Sequence, residues 1–329
     1  MSKQAFDKKI EALEALRSGT ASAATSDQVR KALRDRNNYL VSRAGTLAAD
    51  LGLSGLIPDL LSAFDRFLID PVKSDPQCWA KNAIAKALKD LGHHAAAVYL
   101  RGIAHVQLEP VWGGRADSAA TLRGTCALAL VDCPLDDLEI LAHLTDALAD
   151  SEKTVRIDAA SAISQLARPE GAILLRLKSL LGDTEPEVIG ACFASLLDLT
   201  PRDSAPFIGR FLKARNEDVR IEAAAALAQS REPEAIEILK TFWRDRLSQE
   251  TRTALVASLG ASPLPQAAEF LLSIIANESS ELAASAIAAL AVSRFRAEMR
   301  DQVLDIIEGK ADPNLKGIFE QRFTRPEDA

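Results

Sequence analysis

One arrangement of residues comes round eight times in this chain, at intervals that a single globular core would not impose. An apolar anchor is followed by small residues four and five positions on and bulky apolar residues eight and eleven on, with Asp five before it. In "DSEKTVRIDAASAISQLA" these are Val155, Ala159, Ala160, Ile163, Leu166 and Asp150, and in "DTEPEVIGACFASLLDLT" they are Val188, Cys192, Phe193, Leu196, Leu199 and Asp183. The anchors are Leu40, Ala80, Leu122, Val155, Val188, Val219, Thr251 and Leu282, at spacings of 40, 42, 33, 33, 31, 32 and 31. On a 3.6-residue helix those four apolar offsets fall within about 80° of one another, so each copy predicts an amphipathic helix with one buried stripe.

Each such helix is preceded by a second apolar-periodic stretch, such as "PEGAILLRLKSLL" before Val188 and "PEAIEILKTFW" before Thr251. Pro or Gly stands at many of the joints, and Pro fits a first helical turn while blocking continuation from the helix before it. The unit is therefore a helical hairpin. One hairpin cannot cover its own apolar stripe, so the copies must stack. Hydrophobic residues make up 48% of the 329 positions and aromatics only 5%, which suits Ala- and Leu-rich helices rather than sheets. The expected class is all-α, a right-handed α-solenoid of about eight hairpins.

The arrangement resembles the HEAT repeat family, in the variant found in many bacterial proteins and named together with phycobilin lyases. The residues that carry the likeness are Asp35, Asp75, Asp117, Asp150 and Asp183 before their anchors, and Arg123, Arg156, Arg220 and Arg252 just after theirs. The resemblance implies a hydrogen-bonded ladder of Asp and Arg across successive turns, with the Asp also capping free helix N–H groups. Departures are Ala214, Arg246 and Asn277 in the Asp row and Val41, Ile189 and Ala283 in the Arg row. An N-terminal capping helix is expected within residues 1–24, HEAT-like repeats over 25–310, and a C-terminal cap and tail over 311–329. Phe6, Ile10, Leu13 and Leu16 supply the apolar face of the first, and Leu315, Ile318 and Phe319 that of the last.

The net charge of −7 argues against a protein devoted to gripping a phosphate backbone. The charge is uneven: residues 1–43 hold nine Lys and Arg against five Asp and Glu, whereas residues 131–329 hold twenty-two against thirty-three. An anionic partner would meet the N-terminal end, around Arg30, Lys31, Arg34, Arg36 and Arg43. Cys78, Cys126, Cys133 and Cys192 form neither a CxxC pair nor a disulfide-like framework, and the opening residues lack an apolar signal core. A cytoplasmic location is the expectation, with no run of apolar residues long enough to span a membrane.

Catalysts of this fold have recognisable constellations. Deoxyhypusine hydroxylases, catalysts known on the HEAT-like fold, need several His-Glu pairs for a di-iron centre, and none of His93, His94, His105 and His143 is followed by Glu. The adjacent His93 and His94 lack a spaced carboxylate or Cys partner for a metal. Alkylpurine DNA glycosylases of HEAT-like fold line a basic groove with Trp and Asp. Trp79, Trp112 and Trp243 are present here, but the second-helix groove positions Lys86, Lys89, Asp90, Asp132 and Asp158 are of mixed charge. A phycobilin lyase would need a pocket with acid–base groups, and the carboxylate row Asp50, Asp90, Asp132 and Asp198 reads as solvated last turns. No metal and no cofactor is expected, nor nucleic-acid binding. The expected function is a non-enzymatic scaffold for a protein partner, with a lyase-like or glycosylase-like enzyme as the alternative.

Two places depart from the plain repeat. Units two and three carry extra residues between their first and second helices, "DPVKSDPQ" (70–77) and "HVQLEPVWGGRAD" (105–117). Loops of the same class emerge on one rim, which would bring together Val72, Trp79, Leu108, Val111, Trp112 and Arg115, an aromatic–Arg mixture typical of binding hot spots. Trp112 could equally fold back over an apolar helix flank. The second place is the groove face of the last three units, where Ala225, Ala228, Ala257, Gly260, Ala261, Ala288, Ala291 and Val292 are read as facing outward. Such a floor would receive an amphipathic helix of a partner, or simply permit tight curvature.

Overall fold

The structure is a computed structural model and describes residues 3–18 and 22–323. Residues 1–2, 19–21 and 324–329, parts of the two expected caps, lie outside the described residues. The chain divides into two compact units, the first ending at Leu166 and the second starting at Ala167.

In the first unit a capping helix α1 (Lys3–Ala15) precedes four hairpins. They are α2 (Ala23–Leu33) with α3 (Asn38–Asp50), α4 (Ile57–Phe67) with α6 (Trp79–Asp90), α7 (Ala96–Ile103) with α8 (Ala120–Leu130), and α9 (Asp137–Leu148) with α10 (Lys153–Gln165). A short helix α5 (Pro71–Ser74) lies in the first insertion. The second helices pack side by side, α3 on α6, α6 on α8 and α8 on α10. Their apolar stripes meet those of the first helices in a core that includes Leu40, Phe64, Ile84, Tyr99, Leu122 and Leu130.

The second unit repeats the plan with α11 (Pro169–Leu181) and α12 (Pro186–Leu199), α13 (Pro201–Gly209) and α14 (Glu217–Gln229), α15 (Pro233–Trp243) and α16 (Gln249–Gly260), and α17 (Pro265–Asn277) and α18 (Ser280–Val292). A ninth hairpin follows, α19 (Arg296–Lys310) with α20 (Pro313–Phe323), and only α20 falls in the expected cap of 311–329. It continues the pattern, α17 packing on α19 and α18 on α20. All eight anchors fall on second helices, and all but Val219 are buried.

Pro opens α11, α12, α13, α15, α17 and α20, as the joints predict. Capping follows a finer rule than the Asp row alone. Asp35, Asp117, Asp150 and Asp183 each accept the N–H two residues on, forming a turn before the helix rather than capping it. Only Asp75 reaches into its helix, accepting from Ala80 N and Lys81 N. Where the Asp is missing, the residue three before the anchor takes over: Asn216 caps α14, Ser248 caps α16 and Ser279 caps α18.

Helix is interrupted by a strand pair in the second insertion. There β1 (Leu108–Val111) pairs antiparallel with β2 (Gly114–Asp117), joined by Trp112 and Gly113. The insertion at 105–117, read from sequence as a loop, is thus a tight hairpin. Gly113 has φ 88°, which a residue with a side chain rarely adopts.

Candidate functional site

The two insertions of the first unit are fastened together by a buried polar network centred on Asp75. Its Oδ1 accepts from Asn38 Nδ2 at 2.9 Å and Ala80 N at 2.9 Å, and its Oδ2 from Lys81 N at 3.0 Å and Lys81 Nζ at 2.9 Å. Lys81 stands just after the anchor Ala80, the place that Arg123 holds after Leu122. Gln107, buried at the root of the β-hairpin, donates from Nε2 to the Asp75 carbonyl at 2.8 Å and to Glu109 Oε1 at 2.6 Å. That same Glu109 oxygen accepts from Ser118 Oγ at 2.5 Å and Gln77 N at 2.6 Å.

Asp117 closes the hairpin base, accepting from Gln107 N at 3.0 Å and from Arg123 Nη1 at 2.5 Å. Arg123 then grips Asp150 of the next hairpin with Nε at 2.8 Å and Nη2 at 2.9 Å. Here the expected Asp–Arg ladder is real and crosses units three and four. Further along the row Arg156 also donates to the carbonyls of Asp150 and Ser151, Arg220 to those of Ala214 and Arg215, and Arg252 reaches Glu278 of the next hairpin at 3.4 Å.

Electrostatics follow from these contacts. Burial by itself raises the Glu109 carboxyl, but its bonds from Ser118, Gln107 and Gln77 prevail and hold it below the usual carboxylate range. Asp117 is likewise held down, its burial outweighed by the N–H groups of Gln107 and Ala119 and by Arg123. Arg123 is raised, because Asp150 and Asp117 outweigh its desolvation. Burial lowers His105, overcoming its bond to Gln107.

The backbone leading to α6 is strained. Asp70, Gln77 and Cys78 all have positive φ, at 49°, 61° and 54°, and such residues each cost on the order of 1–3 kcal/mol. They persist because Asp75 and Glu109 take up the local N–H groups, and the result is that Trp79 enters its helix facing outward.

Trp112 is 103% exposed at the hairpin tip, so the reading in which it folds back over a helix flank is overturned: two-residue turn geometry aims it away from the helices. Val72, Leu108, Val111 and Arg115 are also exposed. Trp79 is half open, and its ring partner is Tyr39, edge-on at 5.6 Å, which in turn meets Phe6 at 6.3 Å. Sequence reasoning missed Tyr39, Ile69 and Val106, three further exposed apolar side chains of the first unit. Ile69 stands one position before the first insertion and Val106 lies inside the second, and that placement was the available signal.

Of the eight small residues read as facing outward, three are corrected. Ala228, Gly260 and Ala291 are buried, Ala225 and Ala288 are half-buried, and only Ala257, Ala261 and Val292 are exposed. Adjacent second helices approach closely at the buried ones: a Cβ on Gly260 would stand 2.9 Å from that of Ala289. The same closeness traps two carboxylates. Asp158 of α10 lies where a side chain on Gly124 of α8 would be, and Glu222 of α14 lies over Gly190 of α12. Burial raises both acids, and Glu187 and Asp218 push Glu222 up further. A different apolar surface was missed: Ile173, Leu177, Leu180 and Leu181 are exposed along one face of α11.

As chemistry, the rim offers contact and charge rather than a reacting group. All four cysteines are buried, with desolvation pushing Cys78 and Cys192 up to about 12, so their thiols are poor nucleophiles. Among the described residues no three His, Cys, Asp or Glu side chains converge as metal ligands, and no helix is long and apolar enough to cross a membrane.

Stacked hairpins with buried second helices, Pro-opened joints and an Asp–Arg rung define a helical-repeat protein. HEAT repeats are recognised within its second unit, where the family described by that name matches residues 174–260 and 206–291. Among solved structures, the complex of CpcE and CpcF of phycocyanin lyase from a Nostoc species is 17% identical, covering 88% of this chain and 95% of that one, with a TM-score of 0.37. An engineered protein is 16% identical over 98% of this chain and 95% of its own, TM-score 0.35. Human deoxyhypusine hydroxylase is 18% identical over 79% and 91%, TM-score 0.30. At TM-scores this low none of them bears on what this chain does. No curated protein matches the sequence.

Proposed function

We propose that this protein is a non-enzymatic, cytoplasmic scaffold that holds a protein partner on the rim of its first unit, with Trp112 as the leading contact. The observation that carries the reading is a fully exposed Trp on a hairpin whose root is pinned by Gln107, Glu109 and Asp117. Exposure of so large an apolar side chain on a fixed support supplies contact area with little ordering cost on binding. On the same hairpin Leu108 and Arg115 are exposed on one face and Val111 on the other, Val72 belongs to the insertion stitched to it, and Trp79 opens the helix that follows. Ala225, Ala257 and Ala288, with their neighbours buried, are secondary to this rim.

The test is a photo-crosslinking amino acid at exposed position 111, beside an intact Trp112, with a second at exposed Asp301 as the control. A partner captured only from position 111 is then measured against Trp112→Ala. The expected loss is about 2 kcal/mol of affinity or more, with the melting midpoint of the free protein unmoved. Unchanged affinity, or a midpoint that falls while affinity holds, overturns the reading.

A further inference from the structure

At the basic N-terminal end, α1, α2 and the start of α3 enclose a cleft of about 450 Å³. We propose that this cleft is a binding site for a small amphiphilic organic anion, a carboxylate or sulfonate carried on an apolar body. The site is separate from the rim and independent of the scaffold reading.

Three features point to that chemistry. The volume falls within the range of small-molecule sites, about 300–1,000 Å³. Its floor is apolar, with Leu13 and Ala12 from α1, Ala32 from α2 and Leu40 from α3. Its charged wall is lopsided: Lys9, Lys31 and Arg34 face a single acid, Asp35.

Asp35 is already committed to Lys9 at 2.6 Å. Burial works to raise its carboxyl, but the Lys9 bond and the Asn37 N–H outweigh that and hold it low, so the acid and Lys9 cancel as a closed pair. Arg34 touches Asp59 through Nη2 alone at 3.1 Å, and shares that carboxylate with Arg30, also at 3.1 Å. Lys31 makes no hydrogen bond or ion pair among the described residues. The wall thus presents one free cation and one half-used guanidinium over an apolar floor. A bare metal ion would be repelled, and a neutral hydrocarbon would leave Lys31 and Arg34 unanswered. An anion with an apolar body answers both. α1 makes its closest helix contacts with α3, and Arg43–Glu14 and Arg17–Asp50 pin it there, so the mouth beside α2 stays open.

The test uses the full chain and 8-anilinonaphthalene-1-sulfonate as the fluorescent probe, with decanoate as competitor. Saturable one-site binding is expected, displaced by decanoate and weakened about ten-fold or more by Lys31→Glu, in line with the loss of one charge-assisted contact. Lys31 is exposed, so that change leaves the fold intact, as the melting midpoint will verify. Ala12→Phe, which fills the cleft from the solvent side of α1, should abolish binding. Lys73→Glu and Trp112→Ala, both on the rim, should leave it unchanged. Probe binding that ignores Lys31→Glu, or that is lost on Trp112→Ala, overturns the proposal. Equal competition by inorganic phosphate would overturn its amphiphilic part, since only the head group would then be recognised.

Discussion

Lys81 Nζ lies 2.9 Å from Asp75 Oδ2, and both side chains are wholly buried. The pair occupies the same repeat positions as Arg123 and Asp117, with Lys in place of Arg. The substitution has a geometric reason. Arg123 has five donors and spans two successive Asp residues, whereas Lys81 is a point charge that serves one carboxylate and the Phe67 carbonyl at 3.3 Å. Asp75 is left free to hold Asn38 and the first N–H groups of α6, so this rung anchors an insertion rather than linking two plain units.

Removing one member of a buried pair strands the other charge. Lys81→Met should cost about 3–5 kcal/mol, read as a lower urea midpoint at unchanged denaturant slope. A loss below about 1 kcal/mol would mean that the pair behaves as a surface salt bridge, contrary to its burial.

Asp158 gives a pH dependence of opposite sign to the usual carboxylate. Burial raises it above 3.8, so the folded state holds the proton more tightly than the unfolded chain does. Its contribution to stability is therefore full below the unfolded value and is lost as pH rises through the folded one. Asp158→Asn, of nearly equal shape, should match the parent at about pH 3 and be the more stable at about pH 7. Thermal midpoints at several pH values decide it, and parallel curves for the two proteins would refute the assignment.

The repeat was legible because buried volume recurs: Leu40, Leu122, Val155 and Val188 are all interior, as a 3.6-residue stripe requires. The Asp row was legible as position but not as bonding, since an Asp two residues before an N–H and an Asp at a cap look alike in sequence. Lys81 escaped because only Arg was sought after the anchor. The β-hairpin had a signal, Gly113 and Gly114 between short extended runs, but Pro110 and the lack of period favoured a loop. The pairing of Gly124 with Asp158 could not be read at all, because it depends on which offsets of neighbouring helices oppose each other. The exposed face of α11 was obscured by its sequence, which is apolar nearly all round.

The core of the second unit offers a cleaner stability test. Leu196 on α12 is wholly buried beside Phe193. Leu196→Ala should cost about 2–5 kcal/mol through the cavity it leaves. Repeat arrays couple chiefly through neighbours, so amide exchange should quicken most in α12 to α14. Exchange that quickens evenly through both units would contradict nearest-neighbour stacking.

Ala311 ends α19 in the left-handed region, at φ 51°, with its N–H on the carbonyls of Ile307 and Glu308. Its side chain is exposed and gains nothing from being there. Ala311→Gly should therefore raise stability, by up to about 1 kcal/mol. A lowered midpoint would show that the extra freedom of Gly in the unfolded chain outweighs the relief of strain.

Glu109 decides whether the rim is rigid. One oxygen gathers Gln107, Ser118 and the strained Gln77 N–H, fixing the hairpin to the neighbouring insertion. Its carboxyl sits below 4.5, so its stabilising effect is present above the unfolded value and is lost as pH falls through the folded one. Glu109→Ala should free the Gln77 amide, speeding its hydrogen exchange, while exchange in α9 and α10 stays as it was. A partner that needs Trp112 held in place should bind more weakly to this variant, although Trp112 itself is untouched. Exchange at Gln77 that does not change would show that the strained segment holds its shape unaided, and that the hairpin is merely laid upon it.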